Sequence, residues 1–183
     1  MNARDRIVGF AEGAGEKFQA LDSMEDGFDK TKARENVRNA IANHPDMNLV
    51  VGIYSYNAPA IVDVVKELDK RAALKVIAFD AEPLAIKHMA DGQIDAMIVQ
   101  NPYNMGYSGI KLMKALAEKD DAVLSQMLPD TEEKEGDLFN TGLKVVVPNA
   151  NAAIQSKGFD SATEFLTFDE FREWLKKYNL TGS

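Results

Sequence analysis

Lys75-Val76-Ile77-Ala78-Phe79-Asp80-Ala81-Glu82-Pro83 is the stretch that decides how the chain is read. Val76 to Phe79 form a short apolar run, the kind a strand buried on both faces requires. The run ends on a carboxylate. Pro83 suits the first turn of a following helix, where its missing N–H costs nothing. A strand that turns straight into a helix places Asp80 at the strand's carboxyl end. In open α/β sheets that rim is where ligands bind.

The same alternation recurs on either side. Asn48 to Ile53 is another nearly continuous apolar run, followed by Tyr54-Ser55-Tyr56-Asn57 and a helix over Ala58 to Lys70 with Pro59 in its first turn. Upstream, Asp29 caps a helix over Asp29 to Asn43, in which Ala33, Val37, Ala40 and Ile41 repeat at helical spacing. Lys17 to Met24 is predicted as a strand. Asn2 to Ala11 is predicted as a helix with Ile7, Phe10 and Ala11 on one face. Downstream, Pro83 to Asp91 is a helix and Asp95 to Val99 a strand that stops on Gln100-Asn101-Pro102-Tyr103. Asn104 to Lys119 is a helix, Asp120 to Gly136 an acidic irregular stretch, and Leu143 to Val147 a last strand. Asn149 to Thr163 is polar with weak pattern. Thr167 to Tyr178 is a helix opened by a capping box, Thr167 with Glu170. Thr181-Gly182-Ser183 is read as an appended scar outside the fold. Strand and helix thus alternate with short connections, which predicts an α/β fold: a three-layer αβα, mostly parallel, Rossmann-like sheet.

Composition narrows the function. With 183 residues the chain is long enough for one domain with a real core. The net charge of −8 argues against nucleic acid, which needs clustered Lys and Arg. The absence of cysteine excludes disulfides, thiolate metal sites and Cys nucleophiles. No apolar run approaches the ~18 residues of a spanning helix, and no signal peptide is visible at Met1. No phosphate loop, nucleophile elbow or zinc motif occurs. His44 and His88 are read as surface residues. No catalytic set, metal site or cofactor is indicated.

Three strand ends carry polar groups that a parallel sheet would bring to one edge: Tyr54 to Asn57, Asp80 with Glu82, and Gln100 with Asn101. A carboxylate accepts hydrogen bonds from adjacent hydroxyls, and amides donate and accept at once. Aromatic rings cover the apolar face of a sugar. Each group also has a structural reading: Asp80 or Asn57 as a helix cap, the tyrosines as core or rim, Gln100-Asn101-Pro102 as a turn. Their co-location on one predicted edge favours a ligand site for a neutral polyol.

At Val76 to Pro83, and at Ile98-Val99-Gln100-Asn101-Pro102-Tyr103-Asn104-Met105-Gly106-Tyr107, the chain resembles the type 1 periplasmic sugar-binding proteins of ABC transporters, in particular the ribose-type branch. Asn2-Ala3-Arg4-Asp5-Arg6-Ile7-Val8-Gly9-Phe10 and His44-Pro45-Asp46 fit the same pattern. The resemblance runs from about Asn2 to Leu128 and continues weakly to Val147. It implies a non-enzymatic two-lobed receptor that closes on a sugar, of which this chain resembles the C-terminal lobe only.

On that resemblance, residues 1–128 are the second lobe, with a hinge-crossing segment from Gln100. Residues 129–148 are a loop and strand that normally complete the first lobe, and 149–183 are an extension carrying the helix 167–178. By position the ligand-binding residues are Arg4, Tyr56, Asn57, Asp80 and Gln100. Tyr56 stands where the ribose branch often has an amide, which puts ribose itself in doubt. Implied partners are a monosaccharide, the missing first lobe, an ABC permease and a second copy of the fragment through uncovered apolar faces. The implied location is periplasmic. Two other classes compete. One is the effector-binding core of a LacI-type sugar-responsive transcription regulator, disfavoured by the lack of a basic helix-turn-helix segment. The other is a small doubly wound enzyme, which no nucleophile or metal set supports.

Overall fold

The computed structural model describes residues 2–129, 139–157, 159 and 161–183. Its centre is a five-stranded sheet in the order β1-β2-β3-β4-β5. The strands are β1 (Leu49–Gly52), β2 (Lys75–Phe79), β3 (Ala96–Gln100), β4 (Leu143–Val147) and β5 (Thr163–Thr167). The first three are parallel, β4 runs antiparallel to β3, and β5 is parallel to β4. The fold is therefore α/β with a mostly parallel sheet, as the alternation predicts.

Helices α1 (Asn2–Ala14), α2 (Lys30–Asn43), α3 (Asn57–Glu67), α4 (Pro83–Ala90), α5 (Pro102–Glu118), α6 (Asp121–Met127) and α7 (Phe168–Lys177) make up the rest. One face of the sheet carries Val76, Ala78, Met97, Val99 and Val146, each fully buried. It packs against Val37 and Ile41 of α2, Ile61 and Val65 of α3, Ala85 and Met89 of α4, and Phe171 and Leu175 of α7 in a single cluster. Each fully buried Val, Leu, Ile, Met or Phe side chain contributes about 1.5–3 kcal/mol. The opposite face is thinner: Val51, Ile77 and Ile98 are only half-buried.

Local chemistry explains most boundaries. Asp29 caps α2 by accepting from the N–H groups of Thr31 and Lys32 at 2.7 and 3.0 Å. Asn101 caps α5 through the Asn104 N–H. The capping box at Thr167 and Glu170 is formed. At the other end of β2, Asp95 accepts the Val76 N–H at 2.8 Å and pairs with Arg71 at 2.9 Å. Burial pushes this carboxyl up, but the bonds from Arg71 and Val76 outweigh burial and hold it below the usual range.

Several expectations are corrected. Lys17 to Met24 forms no strand; Gly15–Lys17 is a short 3₁₀ turn and the segment after it is irregular, with Phe18 and Leu21 exposed. A strand there would have to add outside β1, and its side chains meet no cover. Residues 121–127 of the stretch read as irregular are helix α6; 130–136 lie outside the described residues. Strand β5 was not predicted. His88 is buried at 8% exposure and so is not a surface residue, while His44 is half-buried at the end of α2. Among the described residues neither ring nitrogen of His88 has a hydrogen-bond partner, and burial pushes its imidazole below the usual value.

Thr181-Gly182-Ser183 is part of the fold. Ser183 exchanges two backbone hydrogen bonds with Ala81, at 2.6 and 2.9 Å.

Candidate functional site

Because β1, β2 and β3 are parallel, their carboxyl ends share one edge. β1 ends on Gly52, just ahead of Ile53 and Tyr54; β2 ends just before Asp80, and β3 on Gln100. The structure therefore brings Tyr56, Asn57, Asp80 and Gln100 to the same rim. Gly52 makes the first of these turns possible, since a Cβ there would lie 2.9 Å from the Asn57 Cβ and 3.0 Å from Ile61.

The centre of the rim is an ion pair. Asp80 Oδ2 lies 3.7 Å from the Arg6 guanidinium, with side-chain exposures of 24% and 12%. Arg6 also donates to the Ile53 carbonyl and lies over the rings of Phe79 and Tyr54, 4.9 and 5.5 Å from their centroids. The pair is too long to be a direct hydrogen bond. Arg6 thus compensates the charge of Asp80 and leaves its acceptor positions for other donors. Asp80 does not cap α4, whose N-cap is Glu82 without a side-chain bond. Asp80 instead sits at φ +66° and donates its N–H to the Ile98 carbonyl at 2.8 Å.

Around the pair stands an aromatic shelf. The Tyr54 and Tyr56 rings are stacked at 6.1 Å, and Phe28 leans on both at 5.3 and 6.2 Å. Phe28 is 73% exposed, so the shelf opens to solvent. Asp26 fixes its geometry: it accepts from the Tyr56 hydroxyl at 2.5 Å and from the Asn57 amide at 2.9 Å. Burial, with the hydrogen bond to Asp26, pushes the Tyr56 phenol up to about 12. Tyr56 is therefore a neutral donor throughout the ordinary pH range. Asn57 lies within the first turn of α3, and its Oδ1 accepts the Tyr54 N–H at 2.9 Å.

Arg4 is exposed on α1, and the guanidinium at Asp80 belongs to Arg6. Asp26 and Phe28 also stand at this edge, and the sequence reading missed both. Packing, not sequence, selects Arg6. Ala3, Arg6, Phe10 and Ala14 recur at i, i+3, i+7 and i+11 and are the less exposed residues of α1, whereas Ile7 is 40% exposed. Among the described residues no group of His, Asp and Glu is placed to hold a metal ion.

An open α/β sheet with a charge-compensated carboxylate and an aromatic shelf at its strand ends has the arrangement in which folds of this class hold small polar ligands. Comparison with known proteins narrows this class: the chain belongs to the family of the periplasmic binding protein domain, which matches residues 1–121.

Among similar proteins are the ribose import binding protein RbsB of Salmonella typhimurium, 31% identical over 113 residues, and the D-allose-binding periplasmic protein of Escherichia coli, 29% identical over 97. These alignments cover 60% and 53% of this chain but only 37% and 31% of the relatives. The chain thus spans about a third of their length. Among solved structures it is similar to GanP, a glucose-galactose binding protein from Geobacillus stearothermophilus, with 26% identity and a TM-score of 0.61 over 63% of this chain and 42% of that one. These relatives are binding proteins, and the chain stands among them rather than among enzymes.

Proposed function

We propose that the chain is the C-terminal lobe of a monosaccharide-binding protein that serves an ABC importer, with a ribose-like sugar as its ligand. The observation that carries the reading is the Asp80–Arg6 pair beneath the tyrosine shelf. A carboxylate whose charge is balanced but whose acceptors are open suits adjacent hydroxyls, and the flanking rings suit the apolar face of a sugar. Tyr56, Asn57, Asp80 and Gln100 are the proposed ligand residues, and Arg6 takes the role that sequence position gave to Arg4. The names of the relatives support a sugar, and the word periplasmic in them supports an extracytoplasmic location. In this reading residues 1–128 are the second lobe, 129–148 the segment that completes the first, and 149–183 an added extension.

The chain spans about a third of its relatives' length, and in this reading a first lobe supplies the remaining contacts. Tyr103, Tyr107, Ile110 and Met113 of α5 are each more than half exposed, an apolar face suited to that lobe or to a second copy of the chain. A nuclear magnetic resonance titration with D-ribose, D-allose, D-glucose and D-galactose tests the function. The reading expects saturable shifts at Asp80, Gln100 and Tyr56 with at least one sugar, weak in the lobe alone. Shifts scattered away from the strand ends, or none with any of the four, would reject it.

A further inference from the structure

We propose that Gly182 and Ser183 are positioning residues for Asp80, a strap that fixes the Asp80–Ala81 turn against the end of β3. The inference rests on the site reading above, and four observations carry it.

First, Asp80 is in the left-handed region at φ +66°, a conformation that a non-glycine residue keeps only where its surroundings impose it. On its N-terminal side the Ile98 carbonyl holds it at 2.8 Å. On its C-terminal side Ala81 is fully buried, and both its backbone polar groups are bonded to Ser183: the Ala81 N–H donates to the Ser183 carbonyl at 2.6 Å and the Ser183 N–H to the Ala81 carbonyl at 2.9 Å. Second, the Ser183 hydroxyl donates to the Gln100 carbonyl at 3.2 Å, so one residue ties the two strand ends that carry Asp80 and Gln100.

Third, only glycine fits at 182. A Cβ there would lie 2.7 Å from the Ala81 carbonyl oxygen and 3.1 Å from Pro83 Cδ. Fourth, the strap is delivered by a rigid element: α7 is anchored in the core by Phe171 and Leu175, and the Leu180 N–H folds back on the Leu175 carbonyl at 2.9 Å. All three strap bonds use backbone groups at Ala81 and Gln100. They leave the Asp80 carboxylate and the Gln100 amide to a ligand, so the strap shapes the site without filling it.

The test is amide hydrogen exchange by nuclear magnetic resonance on the full chain, comparing wild type with Gly182→Val and Ser183→Thr. In Gly182→Val the Ala81 amide exchanges at least about tenfold faster and the Asp80 resonances move, while the Val76 and Val99 amides keep their rates. Ser183→Thr, which retains the hydroxyl and both backbone bonds, keeps Ala81 protected. Unchanged Ala81 exchange in Gly182→Val overturns the proposal. So does equal acceleration at Val76 and Val99, which would make the strap an undifferentiated part of the core.

Titration of the same samples with D-ribose separates this from the proposed function. If wild type responds, the Gly182→Val midpoint rises at least about fivefold, and an unchanged midpoint overturns the positioning role. If neither sample responds to D-ribose or to the other sugars, the function fails, and the exchange data alone decide the strap.

Discussion

Removing the charges of Arg6 and Asp80 together and singly measures the ion pair at the centre of the site. Arg6→Met keeps much of the length of the side chain. Asp80→Asn keeps its shape and, because asparagine tolerates left-handed backbone, its φ of +66°. At 3.7 Å and an effective dielectric of about 20, the attraction is about 4 kcal/mol before desolvation. Desolvation offsets much of that, and the partial exposure of Asp80 admits screening. The expected coupling is therefore about 1–2 kcal/mol. Urea denaturation of the four proteins in a double-mutant cycle reads it directly. Raising salt from ~50 to ~500 mM should remove no more than about half, since Arg6 is mostly out of solvent. A coupling below about 0.3 kcal/mol, the range in which independent sites simply add, would refute the reasoning.

Three further outcomes follow from the same structure. His88 is buried between neighbours of both signs, and burial, helped by Lys66 and Lys87, outweighs Asp63 and Asp91 in setting its imidazole low. The fold therefore favours the neutral ring; that stability is present above the unfolded value of about 6.5 and is lost as pH falls below it, so the urea midpoint of His88→Leu should fall less than wild type between pH 7.5 and 5.5. Phe171→Ala should cost about 3–5 kcal/mol by thermal or urea unfolding, because the ring is fully buried in the shared core; a loss under about 1 kcal/mol would mean that α7 is only appended. If the apolar side of α5 pairs two copies, light scattering after size exclusion should give a dimer that Ile110→Asp with Met113→Asp converts to monomer; a wild-type monomer removes the self-association reading.

How much of this could be read from sequence depended on burial. Strand β2 and the turn at Asp80 were legible because an apolar run, a carboxylate and a proline all agree. Strand β4 was legible from its own apolar run. Thr163 to Thr167 was not, because an outer strand with one half-buried face alternates weakly, and its pairing with β4 is a tertiary fact. Lys17 to Met24 had strand composition but no neighbour to pair with. On α1, Arg4 and Arg6 lie two residues apart and so point to different sides of the helix. Choosing between them requires knowing which side meets β2, which only packing decides. Asp26 reaches Tyr56 across thirty residues of sequence, and Ser183 reaches Gln100 across eighty-three, distances no local pattern encodes.

The claim that most needs a direct measurement is that Asp80 anchors a sugar. Titration of wild type and Asp80→Ala with D-ribose, D-allose, D-glucose and D-galactose, followed at the Gln100 and Tyr56 amides, provides it. The account predicts saturable shifts in wild type with at least one sugar. It predicts their loss in Asp80→Ala, since removing one partner of a buried charged hydrogen-bond set costs about 2–5 kcal/mol. Equal shifts in the two proteins would contradict it.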